Sequence, residues 1–102
     1  MNLVFEAPTM NKAKVTAIVE AEPYAHVSFS RNGYKVKDGA TIGEEKDKVY
    51  VFMRATDEFA KFAREKLKDV AAESKPEVAE RVAKKIEEEE SSAQVGFGAI
   101  FG

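Results

Sequence analysis

The run Val49-Tyr50-Val51-Phe52-Met53 contains no charge and no turn-forming residue. A strand written this way is apolar on both faces, so neither face favours water and the strand is predicted to lie centrally in a sheet. Its neighbours must come from a chain of 102 residues. That length fits one domain, which buries only about two-thirds of the surface its unfolded form exposes.

The first half reads as the source of those neighbours. Ala13, Val15, Ala17, Val19 and Ala21 alternate with Lys14, Thr16, Ile18, Glu20 and Glu22. Period-two alternation predicts a half-buried strand over 12–22, with Ile18 as its one apolar intruder. Pro23 removes a backbone donor and ends it. Alternation resumes over 24–31, where Ala25, Val27 and Phe29 oppose His26, Ser28 and Ser30. Asn32-Gly33 then supplies the positive φ angles of a tight hairpin turn into a return strand over 34–37. Asp38-Gly39 marks a second turn, and with residues 2–7 the first half holds about five strands.

Beyond residue 54 the period changes. Thr56 is placed to cap a helix, with Asp57 and Glu58 favoured in its first turn by the helix dipole. Phe59, Phe62, Ala63, Leu67, Val70 and Ala71 share one face at helical spacing, which predicts a helix over 57–73. Ser74-Lys75-Pro76-Glu77 has the spacing of a capping box with proline in the first turn. A second helix is predicted to run through residue 90 with Val78, Val82 and Ile86 inward. Glu77 with Arg81, Glu80 with Lys84, Lys84 with Glu88 and Lys85 with Glu89 stand four apart on its outer side. Glu87 to Glu90 sit where the dipole is negative, an unfavourable place unless cations lie nearby. In the last ten residues Val95, Phe97, Ala99 and Phe101 alternate with Gly96, Gly98 and Ile100, which predicts an apolar strand over 93–102.

The reading is therefore a single α+β domain over 1–102. It has a β-rich part (1–54), two consecutive amphipathic helices (56–90) and a C-terminal strand (93–102). The sheet is mainly antiparallel with about five to six strands, and an intertwined dimer is the expected assembly.

Composition excludes several function classes. The chain has no cysteine, which removes disulfides, thiolate metal sites and a cysteine nucleophile. No leader pattern and no run of roughly 18 apolar residues occurs, so a cytoplasmic protein with no membrane partner is expected. One-third of the residues are charged, chiefly Glu and Lys, and amide side chains are scarce. Hyperthermophile proteins favour that balance, because the cost of desolvating ion pairs falls with temperature. Net charge is −2, with eight basic and seven acidic side chains in 1–54 and eight and eleven in 55–90. Neither part has the basic excess that makes nucleic acid the default partner.

Three constellations bear on chemistry. His26 shares the expected strand face with Tyr24, Glu20 and Glu22, and a carboxylate beside imidazole orients it for acid-base work. One histidine is too few for a zinc site, which needs three or four ligands, so no metal and no cofactor is expected. Arg31, Tyr34, Lys35 and Lys37 surround the expected hairpin turn, and Lys61, Arg64 and Lys68 form a stripe on the first long helix. Together they would present cations and an aromatic ring to a single-stranded nucleic acid. The bland alternative is that lysines keep an exposed strand edge from aggregating. Gly96-Phe97-Gly98 is not a phosphate loop, because such a loop must lead into a helix N-terminus. Its apolar neighbours Val95, Phe97, Ala99, Ile100 and Phe101 are the candidate oligomer interface. There is no nucleophile elbow, Walker motif or His-Glu-x-x-His pattern.

In length, cysteine-free Glu/Lys-rich composition and order of elements the chain resembles the small uncharacterised orphan proteins of hyperthermophilic archaea. Some of those are interdigitated α+β dimers. The likeness rests on composition and element order, with no shared motif, and implies no activity or site residue. The preferred expectation is a non-enzymatic oligomerising or protein-interaction module working as a homodimer. The alternatives are a nucleic-acid binder using the basic hairpin and stripe, and a small enzyme using His26 with Glu20 or Glu22.

Overall fold

The computed structural model describes the backbone of residues 1–101 and the side chains of residues 1–90. It is α+β. Four strands, β1 (Asn2–Pro8), β2 (Lys35–Asp38), β3 (Lys48–Arg54) and β4 (Ala72–Glu73), form one sheet in the order β2-β3-β1-β4. All three pairings are antiparallel. The helices are α1 (Lys12–Glu20), the single turn α2 (Phe29–Asn32), α3 (Asp57–Leu67) and α4 (Pro76–Phe101).

β3 is central, as its composition predicts, with Val51 opposite Phe5 of β1 and Val36 of β2. Its two faces meet two different cores. Val49, Val51 and Met53 join Leu3, Phe5 and Ala7 beneath Val15 and Val19 of α1, Phe29 of α2, and Ala60, Ala63 and Leu67 of α3. Tyr50 and Phe52 join Val4 and Ile42 against Val82, Ala83 and Ile86 of α4. The sheet therefore lies between helical layers, which is why β1 and β3 are apolar on both sides although the sheet is antiparallel. Each fully buried aliphatic side chain contributes roughly 1.5–3 kcal/mol.

The N-terminal half departs from its expected strands. Residues 12–20 are helical, because only helical spacing brings Val15, Ile18 and Val19 to one face; the period-two reading leaves Ile18 on the wrong side. Val15 and Val19 are buried, Ile18 packs against them, and Ala13 and Ala17 face water. The expected strand over 24–31 is a loop leading into α2. Ser28 caps that turn, its Oγ accepting from the Arg31 N–H at 3.1 Å. Gly33, at φ 87°, ends α2 instead of turning a hairpin. A positive φ serves a helix C-terminus as well as a hairpin. The return strand exists as β2, but its partner is β3. The sheet consequently has four strands, not five or six.

Three changes follow in the second half. Thr56 caps α3 as expected, accepting from the Phe59 N–H at 3.1 Å. α3 stops at Leu67 rather than 73, because Ala72 and Glu73 pair with Glu6 and Phe5 at the edge of β1. The Ser74 capping box does not form: the first helical bond runs from the Ala79 N–H to the Lys75 carbonyl, so Ser74 lies one residue too early. Its N–H donates to Val4 and its buried hydroxyl has no hydrogen-bond partner. The C-terminal strand over 93–102 is corrected as well, since α4 continues unbroken to Phe101. Phe97 and Phe101 stand four apart, a spacing that keeps one face in a helix as in a strand. The candidate interface residues Val95, Phe97, Ala99, Ile100 and Phe101 lie outside the described side chains.

Candidate interaction groove

Phe29, Phe59 and Phe62 pack as a triangle. Ring centroids are 5.5 Å apart for Phe29–Phe59, edge to face, 5.5 Å for Phe29–Phe62 and 5.3 Å for Phe59–Phe62. α3 brings Phe59 and Phe62 together because residues three apart are neighbours on a helix. The capped turn of α2 places Phe29 beneath them. Phe29 is buried, whereas Phe59 and Phe62 are only half-buried.

Their open side is the floor of a groove of about 540 Å³ between the 26–32 segment and the start of α3. Val27, 50% exposed, forms one apolar wall. His26, Arg31, Asn32, Thr56 and Glu58 make the polar rim. A smaller groove of about 200 Å³ adjoins it, shares Val27, Ser28 and Phe62, and reaches Ile18 and Lys66. The Lys66 ammonium stands 5.7 Å from the Phe62 ring centroid, a cation–π contact. Large apolar side chains that are exposed among the described residues are Met1, Met10, Tyr24 and Val27. Two of these four belong to the loop beside the groove.

The expected acid-base group is not joined by hydrogen bonds. His26 lines the larger groove and Glu22 the smaller, Glu20 lies at the end of α1, and no hydrogen bond joins His26 to either carboxylate. Glu20 instead acts on Tyr34: burial first, then this carboxylate, pushes the Tyr34 hydroxyl above its ordinary range. Among the described residues no three side chains gather as metal ligands, and no helix is long and apolar enough to cross a membrane.

The expected nucleic-acid surface is likewise reshaped. Lys35 pairs with Glu90, and Lys37 with Glu89 at 3.1 Å. Arg54 reaches Glu87 at 3.0 Å. On α3, Arg64 meets Glu73 at 2.6 Å and Lys68 meets Glu65 at 3.0 Å. Arg31 lies on the groove rim and Lys61 is exposed on α3. Three of the four consecutive glutamates thus meet cations of β2 and β3; because α4 runs past them to Phe101, they do not occupy the helix end at which the dipole would disfavour them. Of the acidic and basic side chains expected to pair four apart along α4, Arg81 and Glu89 instead pair across to the sheet layer.

A second charged cluster lies toward the opposite end of β3. Lys48 bridges Glu6 at 2.6 Å and Glu45 at 3.1 Å. Burial pushes the Glu6 carboxyl up, and Lys48, together with the nearby Ser74 and Lys75, more than offsets this, leaving it below its ordinary range. Hydrogen bonds to Glu6 and Glu45 raise the Lys48 ammonium in turn. These groups satisfy one another, so the cluster is a fastening rather than an open site.

Fold and groove together define a helix-covered α+β domain with an aromatic recess on its surface. No protein-family model, curated protein or solved structure matches the chain.

Proposed function

We propose that the protein is a non-enzymatic oligomerising module that works as a homodimer, with the aromatic groove as part of its interface. The observation that carries this reading is the half-open Phe59–Phe62 floor beside the half-exposed Val27. In a domain of this size the burial of two further aromatic faces is a large addition to a limited core. The reading also agrees with the engaged cations: Lys35, Lys37, Arg64 and Lys68 spend their charge on carboxylates of the same chain.

Sedimentation velocity and native mass spectrometry over a broad concentration range test this directly. The expected result is a dimer without additional mass. A monomer persisting at the highest concentration would overturn the reading, and a monomer carrying a nucleotide or oligonucleotide would replace it with the nucleic-acid alternative.

A further inference from the structure

We infer that residues 93–101 of one copy seat in the aromatic groove of a second copy, reciprocally, with Phe97 and Phe101 as the anchors. This names the interface of the dimer proposed above and rests on that reading.

The occupant is identified by chemistry and position. Residues 91–102 carry no charge and contain Val95, Phe97, Ile100 and Phe101. α4 runs to Phe101, so its backbone extends eleven residues beyond Glu90, roughly 16 Å at the rise of a helix. In that register Ala93, Phe97, Ile100 and Phe101 have the i, i+4, i+7, i+8 spacing of a helix that lays one apolar stripe into a groove. The groove offers a matching surface, two phenyl faces and a valine, bounded by a polar rim.

The exit point of this segment lies beside the groove. Glu90 lines a recess with Asn32, Tyr34 and Arg54, and Asn32 also lines the aromatic groove. Asn32 is fixed there, its Nδ2 donating to the Arg54 carbonyl at 3.0 Å. Exit point and groove therefore belong to the same end of the sheet. A two-fold axis near that end places each segment on the other copy's groove and closes the assembly, leaving no free groove to propagate a fibre.

Seating within one chain is opposed by the layers. α4 packs on the Tyr50–Phe52 face, whereas the groove floor belongs to the layer on the Val51–Met53 face. Residues 91–101 would have to break their helix and turn around the sheet end to reach it. Exchange keeps the helix intact. Two phenylalanines per segment bury about 150–250 Å² each. The four phenylalanines of the two segments thus supply about 600–1,000 Å² of their own surface, and the covered groove faces add to it toward the roughly 1,200 Å² of a specific interface.

Because the chain lacks cysteine, single cysteines report proximity cleanly. Full-length Glu58→Cys is mixed with isotopically labelled full-length Ala99→Cys and treated with a short bismaleimide, and the products are read by mass spectrometry. In parallel the dimer dissociation constant is measured for Val27→Glu and Phe101→Glu. Val27 is half-exposed in a loop, so Val27→Glu leaves the core untouched. The inference expects a labelled–unlabelled cross-link between the two cysteines and dissociation constants raised about 30-fold or more for both variants. A stable dimer without that cross-link and unaffected by Val27→Glu would overturn this interface while leaving the dimer standing. A monomer throughout would overturn both.

Discussion

Arg81 holds Glu44 with two donors, Nε to Oε2 at 3.0 Å and Nη2 to Oε1 at 2.9 Å. The paired geometry fastens α4 to the segment after the Gly39–Ile42 turn, which itself supplies Ile42 to the second core. Arg81 and its hydrogen bonds hold the Glu44 carboxyl below its ordinary range, outweighing the effect of burial. A carboxyl depressed in the folded state stabilises the fold above its unfolded pKa, and that stability is lost as pH falls through the folded value. Glu6 has the same sign. The melting temperature is therefore expected to hold from neutral pH to about pH 5 and to fall below it. The gap between wild type and Glu44→Gln should be widest at neutral pH and close on acidification, since a protonated glutamic acid resembles glutamine. A gap of constant size down to about pH 3 would show that the pair does not act through its charge.

Ile86 is fully buried where α4 crosses the sheet beside Val82. Ile86→Ala removes three carbons from a layer whose backbone cannot collapse onto the space. A loss of about 2–5 kcal/mol is expected in denaturant unfolding, with the slope unchanged. Exposed Lys84, two residues earlier, sets the comparison: Lys84→Ala should stay within about 0.5 kcal/mol. Equal effects from the two substitutions would mean that α4 is not packed as described.

The same spacing arithmetic explains what the sequence hides. Residues four apart share a face in both a strand and a helix, so Val15 with Val19, and Phe97 with Phe101, fit either period. Ile18 held the answer for α1, since a residue three beyond Val15 joins its face only in a helix. β3 was legible because nothing polar interrupts it, and the start of α4 because Pro76 suits a first helical turn. The ends were not legible: α3 yields to the bonding demand of β1 at Ala72 and Glu73, a tertiary pull that local pattern does not contain. The groove was hidden for a related reason. Phe59 and Phe62 were read as core, and they become a half-open floor only when Val27 and Phe29 arrive from thirty residues away. Glu87, Glu89 and Glu90 do meet Arg54, Lys37 and Lys35, but not for the reason the sequence suggested, since α4 runs eleven residues past Glu90 and its terminal dipole does not act there.

Gly39 marks a close approach between two segments of backbone. A Cβ at this position would stand 1.8 Å from the Glu45 carbonyl oxygen and 2.8 Å from its carbon. Both are main-chain atoms, so no side-chain rotation relieves the clash. Gly39→Ala must displace the 39–45 turn, and with it Ile42 and the Glu44 contact to Arg81. A destabilisation of about 2 kcal/mol or more is expected by denaturant titration. A change below about 0.5 kcal/mol would mean that the turn adapts without disturbing α4.

The carboxylates of α4 also govern how the domain meets a polyanion. Lys35 and Lys37 face Glu90 and Glu89, so a phosphate approaching β2 must displace a carboxylate that is already in place. Wild-type protein is expected to show no saturable anisotropy change with a labelled single-stranded oligonucleotide at low salt. Glu89→Gln combined with Glu90→Gln frees both ammonium groups. That variant is expected to show a saturable change, with an affinity that falls as salt is added, because each phosphate neutralised releases a counterion. Tight, steeply salt-dependent binding by the wild type would instead show that these pairs open readily, and it would restore the basic surface as the candidate site.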